Sequence, residues 1–234
     1  MGKLTVEDIE IQLIKKNIKN LHLSVLPPDG SVRISAPKAL NDEVVRLFVV
    51  SKLSWIKKQR AKFKRQERQP EREFVSGESH QFLGQRYLLN VIYTNKRRQG
   101  VAVRDKAYLD LFARKNSDKD QRRKVMGEWY RSELKALIPH LIKKWEPIMG
   151  VKVESWGVKL MKTKWGSCNI AAKRIWLNLE LAKKNPACLE YIVVHEMVHL
   201  LERLHNQNFV AHMDEFLPNW RSTKAELNGL VFAD

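Results

Sequence analysis

Two histidines four residues apart, His195 and His199, enclose a glutamate in the run His195-Glu196-Met197-Val198-His199. On a helix that spacing puts both imidazoles on one face, about one turn apart, where they can share one metal ion. Glu196 is then placed to hold a water without ligating the metal itself. A bound zinc lowers that water's pKa toward about 7, so Glu196 can take its proton at neutral pH. This is the HExxH arrangement of hydrolytic metal sites. A third ligand is needed. His205 follows His199 by six residues, and on a continuous helix it would point roughly 120° away. It reaches the ion only if the helix ends between Leu200 and His205. Asn206 is placed to cap a new helix over 207–216, which leaves His205 in the connecting turn. His212, Glu215 and Glu226 are the alternatives.

These residues need a positioned helix behind them. Asn185-Pro186 supplies an N-cap and first-turn pair. Ile192, Val193, Val194, Met197, Val198, Leu200 and Leu201 surround the motif, so the helix is expected to be buried on most sides. Two histidines and a glutamate inside such a helix are costly unless something pairs with them. Before it, 151–161 and 174–182 read as strands separated by a Lys164-Trp165-Gly166-Ser167-Cys168 loop. Ile175, Leu177, Leu179 and Leu181 fall on one face of the second strand, and Trp176, Asn178 and Glu180 on the other. That strand is the candidate to run beside a substrate peptide through main-chain hydrogen bonds. Trp165 and Cys168 could line the cleft; Cys188 reads as structural.

Further upstream, Leu21, Leu23 and Val25, then Val32 and Ile34, predict a hairpin around Pro28-Asp29-Gly30. Asn41 caps a long helix expected to stop before Pro70. Short strands follow over 82–83, 87–93, 101–103 and 108–112, with a turn at 95–100. Ser117 starts another helix, which Pro139 should kink or split and Pro147 and Gly150 should end. A boundary near 115 divides a basic N-terminal region, 1–115, from a helix-rich region, 116–234.

The chain has 234 residues, 44% of them hydrophobic, enough for a real core. Its 43 Lys+Arg against 26 Asp+Glu give a net charge of +17. Such a field attracts nucleic acid, nucleotides, anionic lipid or acidic proteins. The charge is uneven: residues 52–72 hold nine basic side chains and two acids, and 96–98 and 122–124 are further basic clusters. No apolar run approaches the roughly 20 residues of a membrane span, and no secretory signal is visible. With two cysteines and no disulfide framework, a reduced, cytoplasmic protein is expected.

The runs MKTKWGSC (161–168), RIWLNLELA (174–182) and YIVVHEMVHLLERLHNQNF (191–209) together resemble the YgjP-like metallopeptidase family, which is related to the SprT-like zinc proteases. FVVSKLSWIKKQ (48–59) and FLGQRYLLNV (82–91) extend the resemblance upstream. It implies an α+β fold: a zincin-like catalytic domain, with the HExxH helix packed on a small antiparallel or mixed sheet, and a β-rich basic N-terminal part. It also implies zinc held by His195, His199 and His205, with Glu196 as catalytic base. Where relatives commonly carry Arg before WGSC this chain has Lys164, which keeps the charge and loses the bidentate fork. Lys164, Trp165, Arg174 and Asn178 are the candidate substrate contacts. The ligand spacing equals that of metzincins, but Glu202 stands at their glycine, so the turn must be made another way.

Three activities fit. The first is peptide hydrolysis, with a peptide or protein substrate. The second is hydrolysis of a phosphoanhydride in a nucleotide, with Lys164 and Arg174 on phosphate. The third is a protein docked on DNA or RNA, its zinc centre acting on proteins bound nearby. Imidazole ligands suit manganese, cobalt or nickel as well as zinc.

Overall fold

The computed structural model describes residues 2–26, 29–65, 72–95 and 99–229. Pro28, the end of the basic helix beyond Arg65, and the Lys96-Arg97-Arg98 cluster lie outside the described residues. The chain forms two compact units, Met1–Pro70 and Glu71–Ala233.

In the first unit, strands β1 (Gly2–Val6), β2 (Ile9–Lys16), β3 (His22–Leu26) and β4 (Ser31–Pro37) form a sheet in the order β1-β2-β4-β3. The β3–β4 hairpin pairs Leu23 with Ile34 and Val25 with Val32, as the alternation predicts. Ile9, Ile11, Leu13, Val32, Ile34 and Ala36 share a core with Val45 and Val49 of α1 (Asp42–Ser51) and Ile56 of α2 (Leu53–Arg65). Asn41 caps α1 by accepting from the Glu43 N–H. The single long helix expected here is two. Lys52 leaves helical geometry at φ −109°, ψ 5°, and its N–H turns back to Val49 and Val50.

In the second unit, β5 (Ser79–Phe82), β6 (Gln85–Tyr93), β7 (Gly100–Arg104) and β8 (Tyr108–Ala113) repeat the same strand order, β5-β6-β8-β7. Helix α3 (Lys119–Met149) follows. Asp118 and Gln121 close a reciprocal capping box at its start, one residue later than the Ser117 start expected from sequence. Pro139 and Pro147 lie inside α3 without splitting it. The carbonyls they leave unpaired, on Lys135 and Lys143, belong to exposed residues, where water can satisfy them. The helix ends at Gly150, left-handed at φ 64°, whose N–H reaches the Glu146 carbonyl.

Leu89, Leu109 and Leu111 of this sheet share one core with Met126, Tyr130, Leu134 and Ile138 of α3. The units therefore part near residue 70 rather than at 115, because strands 79–113 bury their face on the helices that follow them.

The third sheet contains β9 (Ser155–Lys159), β10 (Gly166–Asn169) and β11 (Arg174–Asn178), ordered β10-β11-β9. β11 pairs antiparallel with β10 and parallel with β9. The expected strand over 174–182 stops at Asn178. There the Asn178 side chain accepts from the Glu180 N–H, and the chain tightens into a 3₁₀ turn over Leu179–Lys183. Helices α4 (Pro186–Val198), α5 (Gln207–Phe216) and α6 (Trp220–Gly229) complete an α+β architecture. Among the described residues no helix is long and apolar enough to cross a membrane.

Candidate metal centre

The motif lies at the C-terminal end of α4. Asn185 caps this helix by accepting from the Ala187 N–H, with Pro186 in the first turn. The β5–β6 turn braces the same end: the Leu83 N–H donates to the Ala182 carbonyl at 2.9 Å. Gly84, at φ +80°, comes so close that a Cβ there would lie 3.1 Å from Asn185 Cα. Val193, Val194, Met197 and Val198 are fully buried, so the helix is enclosed as its composition predicts.

α4 stops at Val198, and His199 is its C-cap. The N–H groups of Leu200, Leu201 and Glu202 close tight turns onto Met197 and Val198. No left-handed residue is used: Glu202, at the metzincin glycine position, is absent from the residues with positive φ. Its carboxylate accepts from the Leu204 N–H at 3.0 Å, folding the turn onto itself. Asn206 then caps α5 by accepting from the Phe209 N–H at 3.0 Å. Between these anchors His205 swings back toward the helix.

Ligand atoms of His195, His199 and His205 all lie within 4.8 Å of one another. His195 Nε2 and His205 Nε2 face each other at 3.1 Å. Two nitrogens held by one ion at about 2.0–2.1 Å stand about 3.3 Å apart at a tetrahedral angle, so the spacing suits a shared ion. His199 Nδ1 lies 3.2 Å from the Glu202 carbonyl, which fixes that ring and leaves its Nε2 free. Phe209, 2% exposed, packs against all three rings, with centroids 4.6–4.9 Å away. The buried Nδ1 of His195 has no hydrogen-bond partner. That ring is held by Tyr191 and Phe209 on its faces and edges, and by whatever engages Nε2.

Burial first, then the neighbouring His199 and His205, pushes His195 down to about 3. Burial, His199 and Lys224 also lower His205. Both rings stay neutral near pH 7 with lone pairs available, as metal ligands must. The donor set therefore fits a divalent ion.

Glu196 is 5% exposed and faces the same cleft. Burial raises its carboxyl to about 8, and Lys164 opposes the shift. A cation among the imidazoles acts in the same direction as Lys164. The Glu196 side chain rests on Gly166: a Cβ there would lie 2.5 Å from Oε1 and 2.8 Å from Cγ. Gly166 is not left-handed, so the glycine is required by space rather than by backbone conformation.

The cleft has a volume of about 530 Å³. Edge strand β10 forms one wall and Lys164 and Trp165 precede it; Tyr191, Arg203, Lys224 and Leu227 face them. The strand expected to lie beside substrate, β11, is instead the centre of its sheet, with both main-chain edges occupied by β10 and β9. Arg174 sits at the far end of β11, opposite Asn169, and does not line the cleft. Asn178 is fully buried. Its amide donates to the Met161 and Lys164 carbonyls at 2.9 and 2.8 Å, so it braces the loop that presents Lys164 and does not face substrate.

His212 stacks on Phe216, away from the three histidines. Glu215 lies beside His212, and Glu226 approaches Cys188. Cys168 lines the cleft as a free thiol pushed up to about 11 by burial and then by Glu196, so it is no nucleophile near neutral pH.

Sequence reasoning missed Gly166, Tyr191, Phe209, Arg203 and Lys224. Tyr191 was findable, one helical turn before His195. Arg203 and Lys224 reach the cleft only through tertiary packing.

A family model described as YgjP-like, metallopeptidase domain, matches residues 19–230. A comparison with curated proteins finds no match. Among solved structures the chain is similar to the metallopeptidase zymogen of Pyrococcus abyssi abylysin, with TM-score 0.36 and 16% identity over 38% of this chain and 90% of that one. It is similar also to the zymogen of Methanocaldococcus jannaschii jannalysin, with TM-score 0.36 and 17% identity over 39% of this chain and 94% of that one.

Proposed function

The chain belongs to the YgjP-like metallopeptidase family, and from that premise we propose that it is a zinc-dependent peptidase with a zincin-like catalytic unit. In this reading His195, His199 and His205 hold the ion and Glu196 is the general base. The observation that carries it is the convergence of three imidazoles, two from one helix and one from the turn behind it, within a cleft that also holds a buried carboxylate. Three protein ligands leave a coordination position open, as a catalytic site requires and a structural one does not. When bound, the ion supplies Lewis acidity, which makes water acidic near neutral pH and polarises a carbonyl.

The chain's own groups do the rest. A substrate strand pairs with the free edge of β10 through main-chain hydrogen bonds, which lays its backbone across the cleft. Glu196 accepts the proton of the attacking water on its carboxylate. It returns that proton to the amine nitrogen as the C–N bond breaks. Gly166 leaves room for the Glu196 carboxylate beside it, and Trp165 lines the same cleft.

Glu196→Gln tests this role. The variant should keep its metal and lose peptide hydrolysis by at least about a hundredfold, the scale of a positioned general base. Hydrolysis at the wild-type rate would reject proton transfer by Glu196.

A further inference from the structure

Three cations line the cleft, each from a different element. Lys164 comes from the loop before β10, Arg203 from the turn after α4, and Lys224 from α6. All three are exposed residues, and none is held in an ion pair of the structure's described salt bridges. Among the described residues Glu196 is the one carboxylate in the lining, and it is buried. Two acids of the neighbouring turn and helix are held by their own partners. The Glu202 carboxylate is held by the Leu204 N–H. Asp214 is bound by Trp220 and Arg221.

A divalent ion adds to this excess, so the loaded cleft is positive. We infer that the cleft selects peptide segments carrying Asp or Glu on the residues that flank the scissile bond. The inference rests on the peptidase reading and names its substrate class. A peptide is favoured over a small polyanion because β10 is the edge strand of its sheet among the described residues and its Gly166, Ser167 and Cys168 line the cleft, so main-chain amides can pair there and a nucleotide cannot. In such a complex the acidic side chains alternate on either side of the peptide backbone and meet Lys164 on the β10 side and Arg203 or Lys224 on the helical side. Rim charges of this kind act mainly on encounter and register, and they are screened by salt.

The experiment uses the full chain loaded with zinc and three quenched fluorogenic peptides of one length. Their flanking residues are Glu, Gln or Lys. The expected order of kcat/KM is Glu above Gln above Lys, with each added acid raising the rate about three- to eightfold at low salt. The ratio of the Glu to the Lys peptide should collapse toward one in 1 M salt, where the screening length is about 3 Å. It should also fall in Arg203→Gln and in Lys224→Gln, and invert toward the Lys peptide in Lys224→Glu. The salt series needs no variant, so it holds even if one substitution disturbs folding. Cleavage of the Gln peptide with no advantage for Glu overturns the inference and leaves the peptidase reading standing. Failure to cleave any of the three, with hydrolysis of a nucleoside triphosphate instead, overturns both.

Discussion

Gly166→Ala should disable the Glu196 carboxylate while sparing the imidazoles. A methyl group at 166 would lie 2.5 Å from Oε1, 2.8 Å from Cγ and 2.9 Å from Cδ of Glu196. Ordinary contacts between such atoms are about 3.5 Å, so the side chain must retreat by about 0.6–1 Å. It has little room to do so. Glu196 is 5% exposed on an enclosed helix, and Gly166 is fixed in register opposite Leu177. Overpacking of this kind costs about 1–3 kcal/mol. A reacting group displaced by about 1 Å costs about a hundredfold in rate. The assay is a trio on one preparation: bound metal, melting temperature, and kcat on a neutral peptide. Metal content should hold at the wild-type level while kcat falls about a hundredfold. Combining Gly166→Ala with Glu196→Asp removes one methylene from the crowded side chain, so the pair should melt higher than the sum of the single effects predicts. Wild-type turnover in Gly166→Ala, or loss of metal in proportion to loss of activity, would refute the reasoning.

Other outcomes follow from the same geometry. His199→Ala should lose bound metal, measured against one ion per chain in the wild type, and with it the thermal shift that added zinc produces. Asn178→Ala should cost about 1–3 kcal/mol by leaving the Met161 and Lys164 carbonyls unpaired, and should loosen the 161–165 loop, read as faster amide exchange there. His80 is buried, and burial and then Arg72 lower it to about 4, against 6.5 for the free side chain. As pH falls from about 6.5 to about 4 the unfolded chain takes up this proton and the folded one does not, so stability should decline across that window. His80→Gln should flatten the decline; an unchanged slope in denaturant titrations would remove His80 as its source.

The site was legible wherever its logic is local. The i, i+4 histidines, the Asn185 and Asn206 caps, and the need for His205 to sit in a turn all follow from helix geometry, and ligand atoms of the three rings lie within 4.8 Å of one another. What failed depended on side-chain and packing choices that hydrophobic alternation does not encode. Alternation over 174–182 cannot reveal that Asn178 folds its own side chain back to end the strand, nor which strand occupies the sheet edge. The two prolines of α3 read as breaks because the sequence does not say which carbonyls face water. The exchange of roles between Arg174 and the pair Arg203 and Lys224 has the same cause: charge is visible in the chain, and its direction is set by packing.

The contact between Gly84 and Asn185 gives the β5–β6 turn a mechanical part in the chemistry. His195 stands nine residues beyond Pro186, about 14 Å along the helix axis. A tilt of only about 5° at the lower end would displace its imidazole by about 1.2 Å, as a lever arm of that length dictates. Any side chain at Gly84 would push against that end, at 3.1 Å from Asn185 Cα, and would do so from a backbone conformation that disfavours it. A hairpin tip that does not line the cleft thus braces the helix that carries two of the three imidazoles.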